Sequence, residues 1–373
     1  MKIIFAGGGT AGHVNPALAI ANDIKKRDPG CQIAFSGGKG GIEEQLVARA
    51  GYPIYTFPLT GLSRSLSPAG LKQNIGAIKN TFSAVSAAKK IIREQQPDIV
   101  IGTGGYACFP IVYAAQACGV RTAVLEVNAT PGVALKQLSR RADCVMISFE
   151  STADFVKGAK RIVYTGSPVR QELIDAAGKP AAPLFDNGKP TVLCFWGSVG
   201  ALYMNKKMED FIALLAKDGS FNLLQAAGKS NFQWMPGEIE AKGVDLKTCE
   251  NVRLVEYIYD MAGAMNGADL VICRAGASTL AEICACGKPA LIVPSPYVAD
   301  NHQEKNARAL ERAGAAVVAL EKEVDGKALF EQVKAMLADR EGLAAMRGNA
   351  RKMASLDALD RIYAAICETV GKA

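Results

Sequence analysis

The sequence predicts an α/β protein of two doubly wound, parallel-sheet domains with a cleft between them. Three observations predict it. At 373 residues the chain exceeds what one hydrophobic core usually organises, so two domains are expected. Short aliphatic or β-branched runs recur along its whole length, each closed by Gly, Ser or Pro and followed by a helical pattern. Continuous apolar runs of this kind belong to strands covered on both faces of a parallel sheet. Glycine-rich loops stand directly after several runs, at the carboxyl strand ends where such sheets bind ligands.

In order, the runs of the first half lie at 2–6, 32–36, 54–58, 98–102, 122–127, 144–149 and 161–165. Those of the second lie at 191–196, 221–226, 251–257, 269–273, 289–294 and 315–320. The set divides near Gly166-Ser167-Pro168, ahead of a Pro- and Gly-rich stretch at 178–190. Domains are therefore expected at 1–166 and 167–352, with the terminal helical segment 353–373 packing back on the first.

Hydrophobic residues make up 49% and charged residues 21%, which excludes disorder as a general reading. The net charge of +7 is uneven: residues 1–160 hold 18 Lys and Arg against 10 Asp and Glu, and the remainder 25 against 26. The excess is densest at Arg64, Lys72, Lys79, Lys89, Lys90 and Arg93, with no acid between them. Alone, that stretch reads as a solvated helix face; with support from elsewhere it suits an anionic lipid surface. The ten cysteines are scattered and read as reduced core residues rather than disulfides or metal ligands. MKIIFAGGG is too short in apolar residues for a signal peptide, and no run approaches the ~20 of a membrane span. A soluble or peripheral intracellular protein is expected, with no nucleic-acid partner.

The first glycine loop, Gly7-Gly8-Gly9-Thr10-Ala11-Gly12, has the G-x-G-x-x-G spacing of a dinucleotide site. The next strand, QIAFSGG, ends without the acid that would hold a ribose; Lys39 could serve a 2′-phosphate, so an oxidoreductase stays open. His13, one of only two histidines, follows the loop in the first helical turn, which favours a neutral ring able to accept a proton. A second loop, Gly102-Thr103-Gly104-Gly105-Tyr106, and a third, Trp196-Gly197-Ser198-Val199-Gly200-Ala201, hold equivalent places. In Arg274-Ala275-Gly276-Ala277-Ser278-Thr279-Leu280-Ala281-Glu282, small residues lead into a helix. Backbone N–H groups there could meet a diphosphate, Ser278 and Thr279 could cap the helix, and Glu282 could take a cis-diol. No Asp-x-Asp occurs, so no metal is expected and, outside the oxidoreductase alternative, no cofactor; helix dipoles and Arg170 would carry the leaving group's charge.

Taken together, GGGTAGHVNPALAIA, GTGGY, GSPVR, GSVGA, RAGASTLAE and ADNHQEKNA resemble, in order and spacing, the GT-B glycosyltransferases. Within them the resemblance is to enzymes that move N-acetylglucosamine from UDP-GlcNAc to undecaprenyl-diphosphate-linked muramyl pentapeptide in peptidoglycan synthesis. The resemblance implies a GT-B fold and UDP-GlcNAc contacts at Thr10, Ala11, Gly12, Asn128, Arg170, Ser198, Ile258, Ala277, Ser278, Thr279, Leu280, Ala281, Glu282 and Gln303. It implies an acceptor-diphosphate site at Gly104, Gly105 and Tyr106; the transfer expected is inverting, with His13 as base and Glu126, also at a strand end by the cleft, as its substitute. It further implies a peripheral place on the cytoplasmic face of the cell membrane, an anionic membrane surface as partner, and other cell-wall enzymes beside it. The chain departs from the family pattern at Leu125 and Val127 of LEVN, at Trp196, Val199 and Ser167, and at Cys108-Phe109. The alternatives are a related UDP-sugar transferase to another lipid, a UDP-GlcNAc 2-epimerase, a dehydrogenase, and a non-catalytic nucleotide-sugar sensor or scaffold.

Overall fold

The computed structural model describes residues 1–61, 67–197, 200–298 and 301–372, with only the backbone of 68–73 and 78. Arg64, Ser198 and Val199, and the side chain of Lys72, lie outside the described residues. The chain divides into two compact units, Met1–Pro168 with Asp357–Ala373, and Val169–Leu356.

In the first unit the elements run β1 (Lys2–Gly7), α1 (Ala11–Arg27), β2 (Gln32–Gly38), α2 (Ile42–Arg49), β3 (Ile54–Phe57) and α3 (Pro68–Gln95). There follow β4 (Ile99–Gly104), a 3-10 turn at Tyr106–Cys108, α4 (Phe109–Ala117), β5 (Arg121–Glu126), α5 (Val133–Ser139), β6 (Cys144–Ile147) and β7 (Ile162–Tyr164). The sheet order is β3-β2-β1-β4-β5-β6-β7, every pairing parallel. The chain winds outward from β1 in one direction and from β4 in the other, so the switch point is the crevice at the carboxyl ends of β1 and β4. Both glycine loops of this unit open there. The central strands are buried as their apolar runs require, with Ile3, Ile4 and Phe5 inaccessible or nearly so, whereas the edge strand β7 is largely exposed. Phe5 pairs in register with Phe35, the rings stacked at 5.5 Å.

In the second unit α6 (Gln171–Ala177) precedes β8 (Thr191–Phe195), α7 (Leu202–Asp218), β9 (Asn222–Ala226), α8 (Lys229–Phe232), α9 (Met235–Ala241) and β10 (Val252–Val255). Next come α10 (Met261–Gly267), β11 (Leu270–Cys273), α11 (Ala277–Cys286), β12 (Ala290–Ile292), α12 (His302–Arg312), β13 (Val317–Val318), α13 (Gly326–Ala338) and α14 (Arg340–Lys352). Its parallel sheet runs β10-β9-β8-β11-β12-β13, with the switch point between β8 and β11. Phe211, Phe221 and Phe330 pack ring against ring on one side of it.

The last helix, α15 (Ala358–Val370), belongs to the first unit and packs against α1, β5 and β6. Ile362 and Ile366 are fully buried. Arg27 reaches Asp360 at 2.5 Å and lies over the Tyr363 ring, while Arg161 pairs with Glu368 and donates to the Ala365 carbonyl at 3.0 Å. Exposed ion pairs contribute about 0–1 kcal/mol each and a buried isoleucine about 1.5–3 kcal/mol, so the apolar face holds the helix. Replacing Ile366 with Ala is expected to cost roughly 2–5 kcal/mol, read as a lowered urea midpoint for the first unit's transition.

Candidate active site

In the first unit, the predicted residues gather around one imidazole. Thr10 is the N-cap of α1, in extended backbone, and Thr10, Ala11 and Gly12 lie at the accessible helix start. His13 Nδ1 lies 3.1 Å from the Gly8 carbonyl and 3.2 Å from Thr10 Oγ1. A carbonyl only accepts, so Nδ1 carries the proton in the neutral ring and Nε2 carries the lone pair. The Thr103 hydroxyl donates to the His13 carbonyl at 2.7 Å, tying the end of β4 to the first turn of α1. The second glycine loop closes over the ring: a Cβ on Gly104 would come within 2.7 Å of His13 Cδ2, and one on Gly105 within 2.1 Å of the Gly8 carbonyl. Both glycines take positive φ, +109° and +76°, a conformation glycine adopts without strain. Tyr106 lies against Gly9 and Gly61 and stays partly exposed.

Sequence reasoning missed Glu43. It stands in the first turn of α2, is 1% exposed, and accepts from Gly38 N at 2.8 Å and Gly9 N at 3.1 Å. The second strand ends without an acid, yet this carboxylate reaches the same crevice from the next helix. The signal in the sequence was the crowd of glycines at 37, 38, 40 and 41 just before it; a Cβ on Gly8, Gly37 or Gly41 would strike the side chain of Glu43.

Glu126 and Asn128 form a second cluster, at the end of β5. Glu126 Oε1 accepts from the backbone N and Nδ2 of Asn128 at 2.9 and 3.0 Å, and Oε2 from Gly132 N at 3.2 Å. The side chain is 3% exposed, and burial pushes its pKa up to about 7 against those hydrogen bonds. Its two oxygens are committed to shaping the 127–132 loop that presents Asn128. The flanking Leu125 and Val127 are buried.

In the second unit, Arg170 and Glu282 meet at 3.0 Å. Burial pushes the Glu282 carboxyl up from its ordinary value, against the pull of Arg170. Gly276, in extended backbone, is the N-cap of α11; the expected caps Ser278 and Thr279 sit inside the first turn, and the Ser278 hydroxyl is buried with no hydrogen-bond partner. Of the stretch 277–282, Ala277 and Leu280 are buried, so they can offer a ligand backbone but not side chain. Ile258 is likewise buried, in the loop between β10 and α10.

A cavity of about 400 Å³ is lined by Gly276, Thr279, Gln303, Trp196, Arg274 and Tyr297 among others. Gln303 Oε1 accepts from Ala275 N at 3.2 Å and Ser295 N at 2.9 Å. Its amide oxygen is thereby spent on two backbone groups, which fixes Nε2 as a donor. Arg274, 8% exposed, pairs with Glu321, donates to the Val293 and Pro294 carbonyls and lies over the Trp196 ring. Arg274 opens the stretch that the sequence singled out, but its tie to Glu321 and Trp196 and the stacked Tyr203 and Tyr297 rings were not visible there.

Two α/β units with glycine loops at their switch points, and a half-buried imidazole in the first, define a nucleotide-sugar type of glycosyltransferase fold, and the comparisons agree. The chain matches the glycosyltransferase family 28 N-terminal domain over residues 3–147 and the family 28 C-terminal domain over residues 191–362. It is 42% identical over 366 residues, 97% of this chain and 96% of the relative, to the UDP-N-acetylglucosamine–N-acetylmuramyl-(pentapeptide) pyrophosphoryl-undecaprenol N-acetylglucosamine transferase of Acetivibrio thermocellus. The like-named transferase of Listeria welshimeri is 39% identical, over 98% of this chain and 99% of its own. The solved structure of Acinetobacter baumannii MurG is 27% identical, with a TM-score of 0.74 over 98% of this chain and 99% of that one. The Neisseria meningitidis UDP-GlcNAc 2-epimerase bound to UDP-GlcNAc, 15% identical with a TM-score of 0.68 over 99% of this chain and 100% of that one, shares the fold. The chain belongs to glycosyltransferase family 28.

The raised pKa of Glu126 has a measurable consequence. Its folded value, about 7, lies above the ordinary 4.5, so the stability contributed by the neutral carboxyl is complete below about pH 4.5 and is lost as pH rises through about 7. Between those limits wild-type stability should fall relative to Glu126→Gln, measured by urea unfolding at a series of pH values. Parallel curves for the two proteins would contradict this assignment.

Proposed function

We propose that this chain transfers N-acetylglucosamine from UDP-GlcNAc, with inversion, to the muramyl 4-hydroxyl of undecaprenyl-diphosphate-linked muramyl pentapeptide. The observation that carries the reading is full-length likeness, at about 40% identity, to relatives named for that reaction. The likeness to the 2-epimerase extends only to the fold.

The second unit is the donor's domain in this reading. Glu282, at the side of Arg170, takes the ribose diol; the backbone of Ile258 meets uracil; the start of α11, with Arg170 and Ser198, meets the diphosphate; and Gln303 Nε2 donates to a sugar hydroxyl. The first unit takes the acceptor, its diphosphate meeting Gly104, Gly105 and Tyr106, while Thr10, Ala11, Gly12 and Asn128 approach the donor sugar. As the new C–O bond forms and UDP departs, the acceptor's hydroxyl proton passes to His13 Nε2. The bound-up carboxylate of Glu126 favours His13 over it as the base. Glu126 then serves by holding Asn128.

One face of α3 supports attachment to an anionic membrane, on the cytoplasmic side. Ile75 and Phe82 are 57% and 74% exposed, and Lys79, Lys89, Lys90 and Arg93 fall on the same helical stripe. Exposed apolar side chains rimmed by cations suit the interface of a lipid layer. Among the described residues no helix is long and apolar enough to cross a membrane.

Two measurements test these readings. Transfer from radiolabelled UDP-GlcNAc to the lipid acceptor should fall by roughly a hundredfold or more in His13→Ala, with the loss in kcat, whereas Glu282→Ala should raise the KM for the donor; near-normal turnover in both would overturn the assignment. Phe82→Asp should weaken sedimentation with anionic phospholipid vesicles about tenfold while leaving turnover on a water-soluble acceptor analogue unchanged. Equal binding to neutral and anionic vesicles would contradict the basic stripe.

A further inference from the structure

We infer that Glu43 is a positioning residue for His13, acting through the peptide group that joins Gly8 to Gly9. The inference rests on the reading of His13 as the base. The two ends of that one peptide group are both engaged. Its N–H, on Gly9, donates to Glu43 Oε2 at 3.1 Å, and its carbonyl, on Gly8, accepts from His13 Nδ1 at 3.1 Å. The order is carboxylate, amide, imidazole. Hydrogen bonds in such a chain polarise one another, because an anion at the N–H end draws the amide's electron density toward its oxygen. The Gly8 carbonyl becomes a stronger acceptor, the Nδ1–H tautomer is held, and the imidazolium formed when Nε2 takes a proton is stabilised. A peptide group thus stands where many enzymes place a carboxylate directly on histidine.

The backbone is shaped around this carboxylate. A Cβ on Gly8 would fall 2.2 Å from Glu43 Oε1, on Gly37 2.4 Å from its Cγ, and on Gly41 2.6 Å from its carboxyl carbon. Burial of an anion is costly unless its oxygens are satisfied, and here Gly38 N and Gly9 N satisfy one each. Taken up by Glu43, the Gly9 N–H is closed to any phosphate guest of the loop.

Other titratable groups face the cluster without competing. Tyr106 lies against Gly9, and Cys108 donates to the Gly105 carbonyl at 3.1 Å. Burial raises the pKa of both, that of Cys108 to about 12, so both stay neutral near pH 7. On α2, Glu44 is turned to Gly40 N at 2.7 Å and Arg49 stands at the far end of the helix. On α15, Asp360 meets Arg27 at the opposite end of α1.

The test is the ring titration of His13 in the full-length protein, followed by 15N NMR, with His302 as the internal reference. Glu43→Gln keeps the shape and removes the charge; it should lower the His13 pKa by roughly one unit, the size of a charge interaction at this range in partly aqueous surroundings. His302 should not move. The acidic limb of kcat against pH should shift down by the same amount, and Glu43→Asp, which restores the charge, should recover most of both changes. In a His13→Ala background, Glu43→Gln should cost nothing further in kcat. An unmoved His13 titration in both Glu43 variants would overturn the coupling, as would an equal loss of kcat with and without His13, since either describes a strut and no more. Full turnover in His13→Ala would overturn the base reading, so the two ideas fail separately.

Discussion

How closely backbone can approach backbone at the carboxyl ends of β1 and β4 governs everything in the first unit's site. The two strands pair in register up to Ala6 and Gly102, then slip so that Gly7 faces Gly104. That slip lets the loop after β4 fold over the first turn of α1 with no side chain between them. A methyl group on Gly7 would come within 2.2 Å of the Thr103 hydroxyl, and that hydroxyl is what fastens the two loops together. Helix α1 begins where it does because Thr10 leaves the glycine run in extended backbone, and the imidazole lands against Gly104 as a result.

The second unit solves the same problem with side chains. Its loops after β11 and β12 are tied by one amide oxygen, that of Gln303, and by a buried guanidinium that reaches two carbonyls and a carboxylate. Breaking such a buried pair by removing one partner leaves an uncompensated charge, typically a loss of about 3–5 kcal/mol. A unit stiffened in this way presents its helix start in one geometry, as a site that recognises a diphosphate requires.

Much of this was legible in the sequence. All the apolar runs form strands, seven in one sheet and six in the other, because a strand buried on both faces must be apolar throughout and so announces itself. The edge runs were overestimated: 315–320 contracts to Val317–Val318 and 251–257 to Val252–Val255, since an outer strand has a neighbour on one side only and its apolar residues can pack on helices instead. His13 and the second glycine loop were legible because glycine and a rare histidine stand out. Glu43 was not, because its partners are backbone N–H groups, which every residue has and no sequence pattern marks. The pairing of Arg170 with Glu282 was equally hidden: the two are 112 positions apart, and each alone looks like a ligand contact. Ser278 and Thr279 suggested caps by residue type, but the extended turn falls earlier, at Gly276.

The return of α15 to the first unit bears on how the chain is made. Residues 1–168 leave the ribosome first, yet the layer that covers β5, β6 and α1 is at 357–373. Until residues 357–370 have been made, the apolar surface that Ile362 and Ile366 will cover stays open to water. The second unit, encoded without interruption, can close while the first is still waiting. The unit that starts first is completed after the other, and a nascent chain stalled just past Leu356 carries one complete domain and one with an exposed flank, the kind of surface that chaperones bind.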